Sequence, residues 1–278
     1  MKNNRQNIVS VGNVKFGNEL PLALILGPCV VESRDHAMFM AERLCKATKK
    51  LGFEFVFKSS FDKANRTSID SGRGVGLDKA LEIFKEIKSE LGCPIVTDVH
   101  LPSQCDAIAE VVDMLQIPAF LCRQTDLLVA AAKTKKPINI KKGQFLAPWD
   151  MTQVIKKIEK SGNNNIMLCE RGSMFGYNSL VVDMRGLQIM STTGYPAIFD
   201  GTHSVQIPSG MGDKSGGQRE FVPTLSRAAV ATGIGGVFLE VHDNPDSAPC
   251  DSANMLSLED MEKLLISLKA IDSVVKRR

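Results

Sequence analysis

Short runs of apolar residues recur along the chain at a regular beat, at 22–26, 53–57, 94–99, 112–117, 137–140, 166–169, 197–199 and 236–241. Most are rich in Val, Ile, Leu or Phe and bounded by Gly, Pro, Asn or Asp, which marks them as strands. They are apolar on both faces, as strands of a covered parallel sheet are. Between them lie helical patterns. The segment 34–51 spaces Met38, Ala41, Leu44, Cys45 and Thr48 for one helix face, and 77–91 does the same with Ala80, Leu81, Phe84 and Ile87. Further helices are predicted at 104–111, 126–133, 151–161, 219–232 and 257–275. Strand–helix alternation eight times over, in units of about thirty residues, predicts an α/β fold of the (β/α)8, or TIM, barrel type. A doubly wound sheet usually stops at five or six strands.

Residues 8–17 stand outside this count. Ile8-Val9-Ser10-Val11, Gly12-Asn13 and Val14-Lys15-Phe16 read as a hairpin around a tight turn, placed to close the N-terminal end of the barrel. The stretch 209–217, Ser-Gly-Met-Gly-Asp-Lys-Ser-Gly-Gly, is too glycine-rich for a regular element and reads as a mobile loop after the seventh strand.

Composition narrows the class. With 278 residues, 44% hydrophobic and 23% charged, the chain is ordinary globular material and fits a single barrel domain over 1–278 better than two small domains. The net charge of +3, from 34 basic and 31 acidic residues, is too balanced for a nucleic-acid binder. A polar opening segment, no apolar run long enough to span a bilayer, and seven widely spaced cysteines predict a cytoplasmic protein in a reducing compartment, away from membranes.

Barrel chemistry sits at the C-terminal ends of the strands. The residues that end or follow the eight runs are Cys29, Lys58, Asp98, Gln116, Lys141, Arg171, His203 and Glu240. Lys58, Lys63, Arg66, Lys141 and Arg171 gathered at one mouth suit a ligand bearing phosphate and carboxylate groups. Any one of them alone is an ordinary solvated charge. Cys29, His203, Glu240 and Asp251 follow strands one, seven and eight, which a closed barrel brings together. Thiolate, imidazole and carboxylates suit a divalent Zn, Fe or Mn ion. Each also has a structural reading: a small buried hydrophobe, a cap on the loop after Asp200, an ion pair. His36, on the first helix among charges, is expected at the surface, and His100 and His242 at the rim. Cys45, Cys93, Cys105, Cys122 and Cys169 read as core thiols.

The run Phe57-Lys58-Ser59-Ser60-Phe61-Asp62-Lys63-Ala64-Asn65-Arg66-Thr67-Ser68 closely resembles the signature loop of the 3-deoxy-D-manno-octulosonate 8-phosphate synthase family. Thr97-Asp98-Val99-His100, Gln116-Ile117-Pro118-Ala119-Phe120-Leu121, Arg123-Gln124-Thr125-Asp126, Asn139-Ile140-Lys141-Lys142, Arg171-Gly172 with Phe175-Gly176-Tyr177, and Phe199-Asp200-Gly201-Thr202-His203 follow in the family's order. The resemblance implies a (β/α)8 barrel, usually a homotetramer, that condenses phosphoenolpyruvate with arabinose 5-phosphate and water, releasing phosphate, for lipopolysaccharide synthesis. It implies that Lys63, Lys141 and Arg171 hold phosphoenolpyruvate, with Ser60, Gln116 and Ala119 lining its pocket and Gln206 beside them. Asn65, Arg66, Thr67 and Ser68 take the sugar phosphate, Arg66 reaching in from a neighbouring subunit. Lys58, Asp98, His203 and Asp251 fall at the reacting centre. No organic cofactor is implied. The family divides into metal-requiring and metal-free members. Cys29 matches the former, where the latter have Asn, while Cys250-Asp251-Ser252 half-matches the Cys-Asp-Gly of the latter. Only Cys29 supplies a thiolate in that ligand set, so a metal at Cys29, His203, Glu240 and Asp251 is expected.

Two rival readings share parts of this pattern. A sister enzyme condenses phosphoenolpyruvate with erythrose 4-phosphate, but places Pro between the Lys and Arg where this chain has Lys63-Ala64-Asn65-Arg66. A non-catalytic phosphosugar-binding barrel needs the cations but not the Cys/His/Glu/Asp set.

Overall fold

The computed structural model describes residues 6–66, 68–70, 72–208 and 216–276. Its eight barrel strands are β1 (Ala23–Gly27), β2 (Phe55–Lys58), β3 (Ile95–Asp98), β4 (Met114–Ile117), β5 (Ile138–Lys141), β6 (Ile166–Glu170), β7 (Ala197–Asp200) and β8 (Gly236–His242). Each pairs in parallel with the next, and β8 pairs with both β7 (Ile198↔Gly236) and β1 (Ala23↔Gly236), so the sheet closes. This is the (β/α)8 barrel expected from the sequence.

The helices are α1 (Arg34–Leu51), α2 (Leu77–Leu91), α3 (Cys105–Val111), α4 (Thr125–Lys133), α5 (Met151–Lys160), α6 (Met184–Ser191), α7 (Val222–Val230) and α8 (Leu258–Val275). Helix α1 starts where Ser33 caps the amide of His36 at 3.1 Å and stops at Gly52, whose φ of 68° only glycine adopts without strain. Helix α6 is an element the periodicity did not predict. Among the described residues, no helix is long and apolar enough to cross a membrane.

Strand side chains alternate between two apolar regions. The outward set, including Leu24, Leu26, Phe57, Leu115, Ile140, Leu168, Phe199 and Leu239, packs under the helices. The inward set, including Ile25, Val56, Val96, Met114, Met167, Ile198 and Phe238, fills the lower barrel together with Val9, Val11, Val14 and Phe16. Those four come from the antiparallel hairpin Val9–Val11 and Val14–Phe16, which plugs the N-terminal end as expected. The glycine-rich loop expected at 209–217 falls largely at 209–215, outside the described residues; Gly216 and Gly217 pair with Ile207 and Gln206.

Gly27 ends β1 where the backbone of β2 crosses closest: a Cβ there would sit 1.8 Å from the Lys58 carbonyl oxygen. A backbone atom cannot swing aside as a side chain does. Gly27→Ala is expected to lower unfolding free energy by about 3 kcal/mol, the upper part of the range for overpacking. Urea denaturation measures it, and an unchanged midpoint overturns the argument.

Candidate active site

The alternation that fills the lower barrel with apolar groups brings charged and polar ones to its upper end. One step beyond Val56, Val96, Met114, Ile198 and Phe238 on the same face come Lys58, Asp98, Gln116, Asp200 and Glu240, and Lys141 follows Asn139 on β5. All are buried except Asp98, which is partly so. Such groups persist away from water only when paired and hydrogen-bonded, and the pairs link adjacent or next-but-one strands around the barrel. Lys58 Nζ donates to Glu240 Oε1 at 2.7 Å and to the Cys29 carbonyl at 3.2 Å. Lys141 Nζ meets Asp200 Oδ2 at 2.5 Å and lies 3.1 Å from the centre of the Phe238 ring. Asn139 donates to Gln116 Oε1 (2.8 Å), Gln116 donates to Asp98 Oδ1 (2.7 Å), and Ser60 donates to Asp98 Oδ2. Lys63 Nζ donates to Ser60 Oγ at 3.2 Å and approaches Glu240 at 3.9 Å.

These contacts fix the charges. Burial alone lowers the Lys58 ammonium, but the Glu240 carboxylate outweighs it and raises the group, so Lys58 is a cation. Lys63 is likewise raised despite burial, by the Cys29 sulfur and Glu240. Burial pushes Glu240 up, and Lys58, Lys63 and His203 more than reverse this, holding it at about 2 against an ordinary 4.5. Asp98 and Asp200 are driven still lower against their burial, by Lys58 and Lys63 and by His203 and Lys141 respectively. Burial lowers Arg171, whose Nη1 is buried with no hydrogen-bond partner, while its Nη2 donates to Gln206 Oε1 at 3.0 Å. That leaves a guanidinium edge ready for an anion.

A second cluster joins the first at Glu240. Donor atoms of His203, Glu240 and Asp251 lie within 4.8 Å of one another, as do those of Cys29, Cys250 and Asp251. Cys29 Sγ donates to Asp251 Oδ2 at 3.1 Å, and Gln206 Nε2 donates to Asp251 Oδ1 at 3.0 Å. Asp251 itself holds a φ of 48°, uncommon for a residue with a Cβ, stabilised by the amides of Asn254 and Met255 on its carbonyl. Glu240 Oε2 is buried without a hydrogen-bond partner and lies 3.9 Å from His203 Nε2. His203 Nδ1 is held by Asp200 Oδ2 at 2.8 Å, which leaves Nε2 facing the cluster. Burial, then the Cys250 thiol hydrogen-bonded to it, pushes the Cys29 thiol well up. An orphaned carboxylate oxygen, a held imidazole and a buried thiol beside a second carboxylate fit a divalent metal ion.

The loop after β2 carries the remaining expected residues. Asn65 is exposed, and Ser68 Oγ accepts from the Asp70 amide at 3.3 Å. Arg66 donates to the Gly72 carbonyl at 3.0 Å and the Pro249 carbonyl at 3.2 Å, tying this loop to the one after β8. Ala119 opens a short helical turn after β4. Thr67 lies outside the described residues. Two of the residues brought together were not singled out from the sequence. Asp200 is one, named within its motif but given no role, although the two-residue step from Ile198 marks it; Cys250 is the other, named only in the half-match Cys250-Asp251-Ser252 and given no role there. His36, expected at the surface, is instead largely covered, turned against His242 and Asp243. Cys45 and Cys93, read as unrelated core thiols, hydrogen-bond each other.

A parallel barrel with a charge-paired mouth is a scaffold that many enzymes share, and comparison with known proteins places the chain. It belongs to the DAHP synthetase I family, whose model matches residues 2–277. Within that family it is similar to proteins named 2-dehydro-3-deoxyphosphooctonate aldolase. That of Bartonella quintana (strain Toulouse) is 60% identical over 270 residues, 97% of each chain. That of Bartonella bacilliformis is 61% identical over 268 residues (96% of this chain, 95% of the relative), and that of Brucella ovis 60% over 268 (96% and 97%).

Because Glu240 sits lower folded than its ordinary 4.5, its contribution to stability is full above that value and is lost as pH falls toward about 2. Glu240→Gln should therefore flatten the dependence of urea stability on pH between 4.5 and 2, by up to about 1.4 kcal/mol per pH unit. Parallel profiles for the two proteins would contradict the assignment of Glu240 as ionised.

Proposed function

We propose that this chain, acting as one barrel domain in the cytoplasm, condenses phosphoenolpyruvate with arabinose 5-phosphate and water to give 3-deoxy-D-manno-octulosonate 8-phosphate and inorganic phosphate. The observation that carries the reading is the barrel mouth, to which the strand ends and the loops after them bring Lys63, Lys141 and Arg171, with Arg171 Nη1 buried and without a hydrogen-bond partner. The names of relatives about 60% identical over nearly the whole chain support the same substrates. The sugar loop Lys63-Ala64-Asn65-Arg66, without Pro, favours arabinose 5-phosphate over erythrose 4-phosphate.

Lys63, Lys141 and Arg171 bind the phosphate and carboxylate of phosphoenolpyruvate. Lys63 and Lys141 already face carboxylates and Arg171 is oriented by Gln206, so ligand binding adds charge complementarity without ordering a flexible side chain. Ser60, Gln116 and Ala119 shape that pocket, Gln116 held by Asn139. Gln206 aims Arg171 and holds Asp251 with its two ends. Asn65, Arg66, Thr67 and Ser68 take the sugar phosphate at the rim, with Arg66 serving a neighbouring subunit. The C3 carbon of phosphoenolpyruvate attacks the aldehyde, water adds at C2, and phosphate leaves with its bridging oxygen. Lys58, a buried cation, is the donor that meets the developing alkoxide. Asp98, held ionised, fixes Ser60 and Gln116 beside the reacting carbons. His203 and Asp251 complete that centre.

Cys29, His203, Glu240 and Asp251 hold a divalent ion such as zinc, iron or manganese. When bound, it supplies Lewis-acid polarisation of an oxygen ligand. Exposed apolar residues on two touching loops, Phe145 and Trp149 with Met174 and Phe175, support assembly with further copies, as a tetramer.

Loss of phosphoenolpyruvate absorbance tests the reaction. Arabinose 5-phosphate is expected to drive turnover that stops with chelator and returns with metal. Turnover untouched by chelator removes the metal requirement, and turnover only with erythrose 4-phosphate removes the substrate. Independently of activity, cobalt-loaded protein is expected to show a near-ultraviolet thiolate-to-metal band that Cys29→Ser abolishes. Its persistence would place the ion elsewhere.

A further inference from the structure

A second set of metal-ligating side chains closes around the start of α1 and the end of β8. Glu32, His36, His242 and Asp243 form a ring in which carboxylates and imidazoles alternate. Glu32 Oε1 faces His242 Nε2 at 2.8 Å and His36 Nδ1 at 3.8 Å. Asp243 Oδ1 faces the opposite nitrogen of each ring, His36 Nε2 at 3.0 Å and His242 Nδ1 at 3.1 Å. The two rings lie 4.7 Å apart and inclined at 38°. Donor atoms of Glu32, His36 and His242 are all within 4.8 Å of one another, and His36 Nδ1 is buried with no hydrogen-bond partner.

We infer that Glu32, His36 and His242 form a second divalent-metal site, separate from that at Cys29, for zinc or another ion that takes two imidazoles and a carboxylate. The donor set is right for such an ion. Asp243 stands where outer carboxylates stand in histidine metal sites, facing the distal nitrogen of each ring. Ligand bonds of about 2.0–2.2 Å put tetrahedral donors about 3.4 Å apart, so Glu32 and His242 need open only slightly and Glu32 and His36 close slightly. Glu32 and Asp243 are partly open to solvent, with side chains 28% and 41% exposed, so an ion has a path in and room for water ligands.

Two features oppose loading, and both are modest. The N-terminus of α1 is electropositive, but Glu32, Asp35 and Asp243 surround it. The Asn244 amide donates to His242 Nδ1 at 3.0 Å, which places the ring's own proton on Nε2. Metal at Nε2 sends that proton to Nδ1, where Asp243 accepts it in place of the amide, so no net proton leaves the ring. Glu32 lies three residues after Cys29, and His242 two after Glu240. An ion here therefore clasps the same two segments that carry the Cys29 site.

Calorimetric titration of Zn2+ into metal-stripped full-length protein tests this. Wild type is expected to bind two ions per chain and His36→Gln one, with the cobalt–thiolate band at Cys29 intact in the variant. Asp243→Asn, which leaves all three ligands in place, is expected to weaken the second ion about 10–100-fold. A single ion in wild type that His36→Gln abolishes supports this site and removes the one at Cys29. Zinc binding unchanged by both His36→Gln and Asp243→Asn overturns the proposal.

Discussion

At the top of the barrel a lysine and a glutamate, both shut away from water, face each other at 2.7 Å over the strand between them. Neither Lys58 nor Glu240 is tolerable there alone: removing the partner of a buried charge commonly costs about 3–5 kcal/mol. Their pairing keeps both ionised and draws β2 and β8 into register across β1. Everything at the mouth is built outward from it. Lys63 approaches the same carboxylate oxygen, Ser60 links Lys63 to Asp98, and the other Glu240 oxygen is left to the Cys29–His203–Asp251 cluster. One carboxylate thus belongs to two neighbourhoods, a cationic one and one suited to a metal.

The charges of the mouth nearly cancel before any substrate arrives. Lys58, Lys63, Lys141 and Arg171 are set against Asp98, Asp200, Glu240 and Asp251. A cancelled array lets so many ionised groups remain buried, and it is held by side chains from different strands rather than by neighbours in sequence. Arg171 is the member least compensated, its lowered position reflecting burial that its carboxylate neighbours only partly offset. The array therefore has a defined place where a polyanion improves the balance.

The strands, their order and the charged groups at their ends were legible because short apolar runs bounded by turn residues are local signals, and a strand once placed turns every second residue to the same face. The same periodicity contained Asp200, two positions after the inward-facing Ile198, although His203 stood out more. Helix α6 was not legible. It is short, interrupted by Gly186, and its place is set by packing: a Cβ at Gly186 would lie 3.5 Å from Glu170 and 3.6 Å from Pro148. The approach of Cys250 to Cys29, and of His36 to His242, joins residues more than two hundred positions apart, with no trace in either local pattern.

The hairpin at the bottom has a consequence for traffic. With Val9, Val11, Val14 and Phe16 packed against the inward side chains, the lower barrel is filled, and the polar mouth is the end that faces the rim loops. A ligand that reaches Lys141, Asp200 and Phe238 has therefore passed the rim loops on the way in, and it returns the same way.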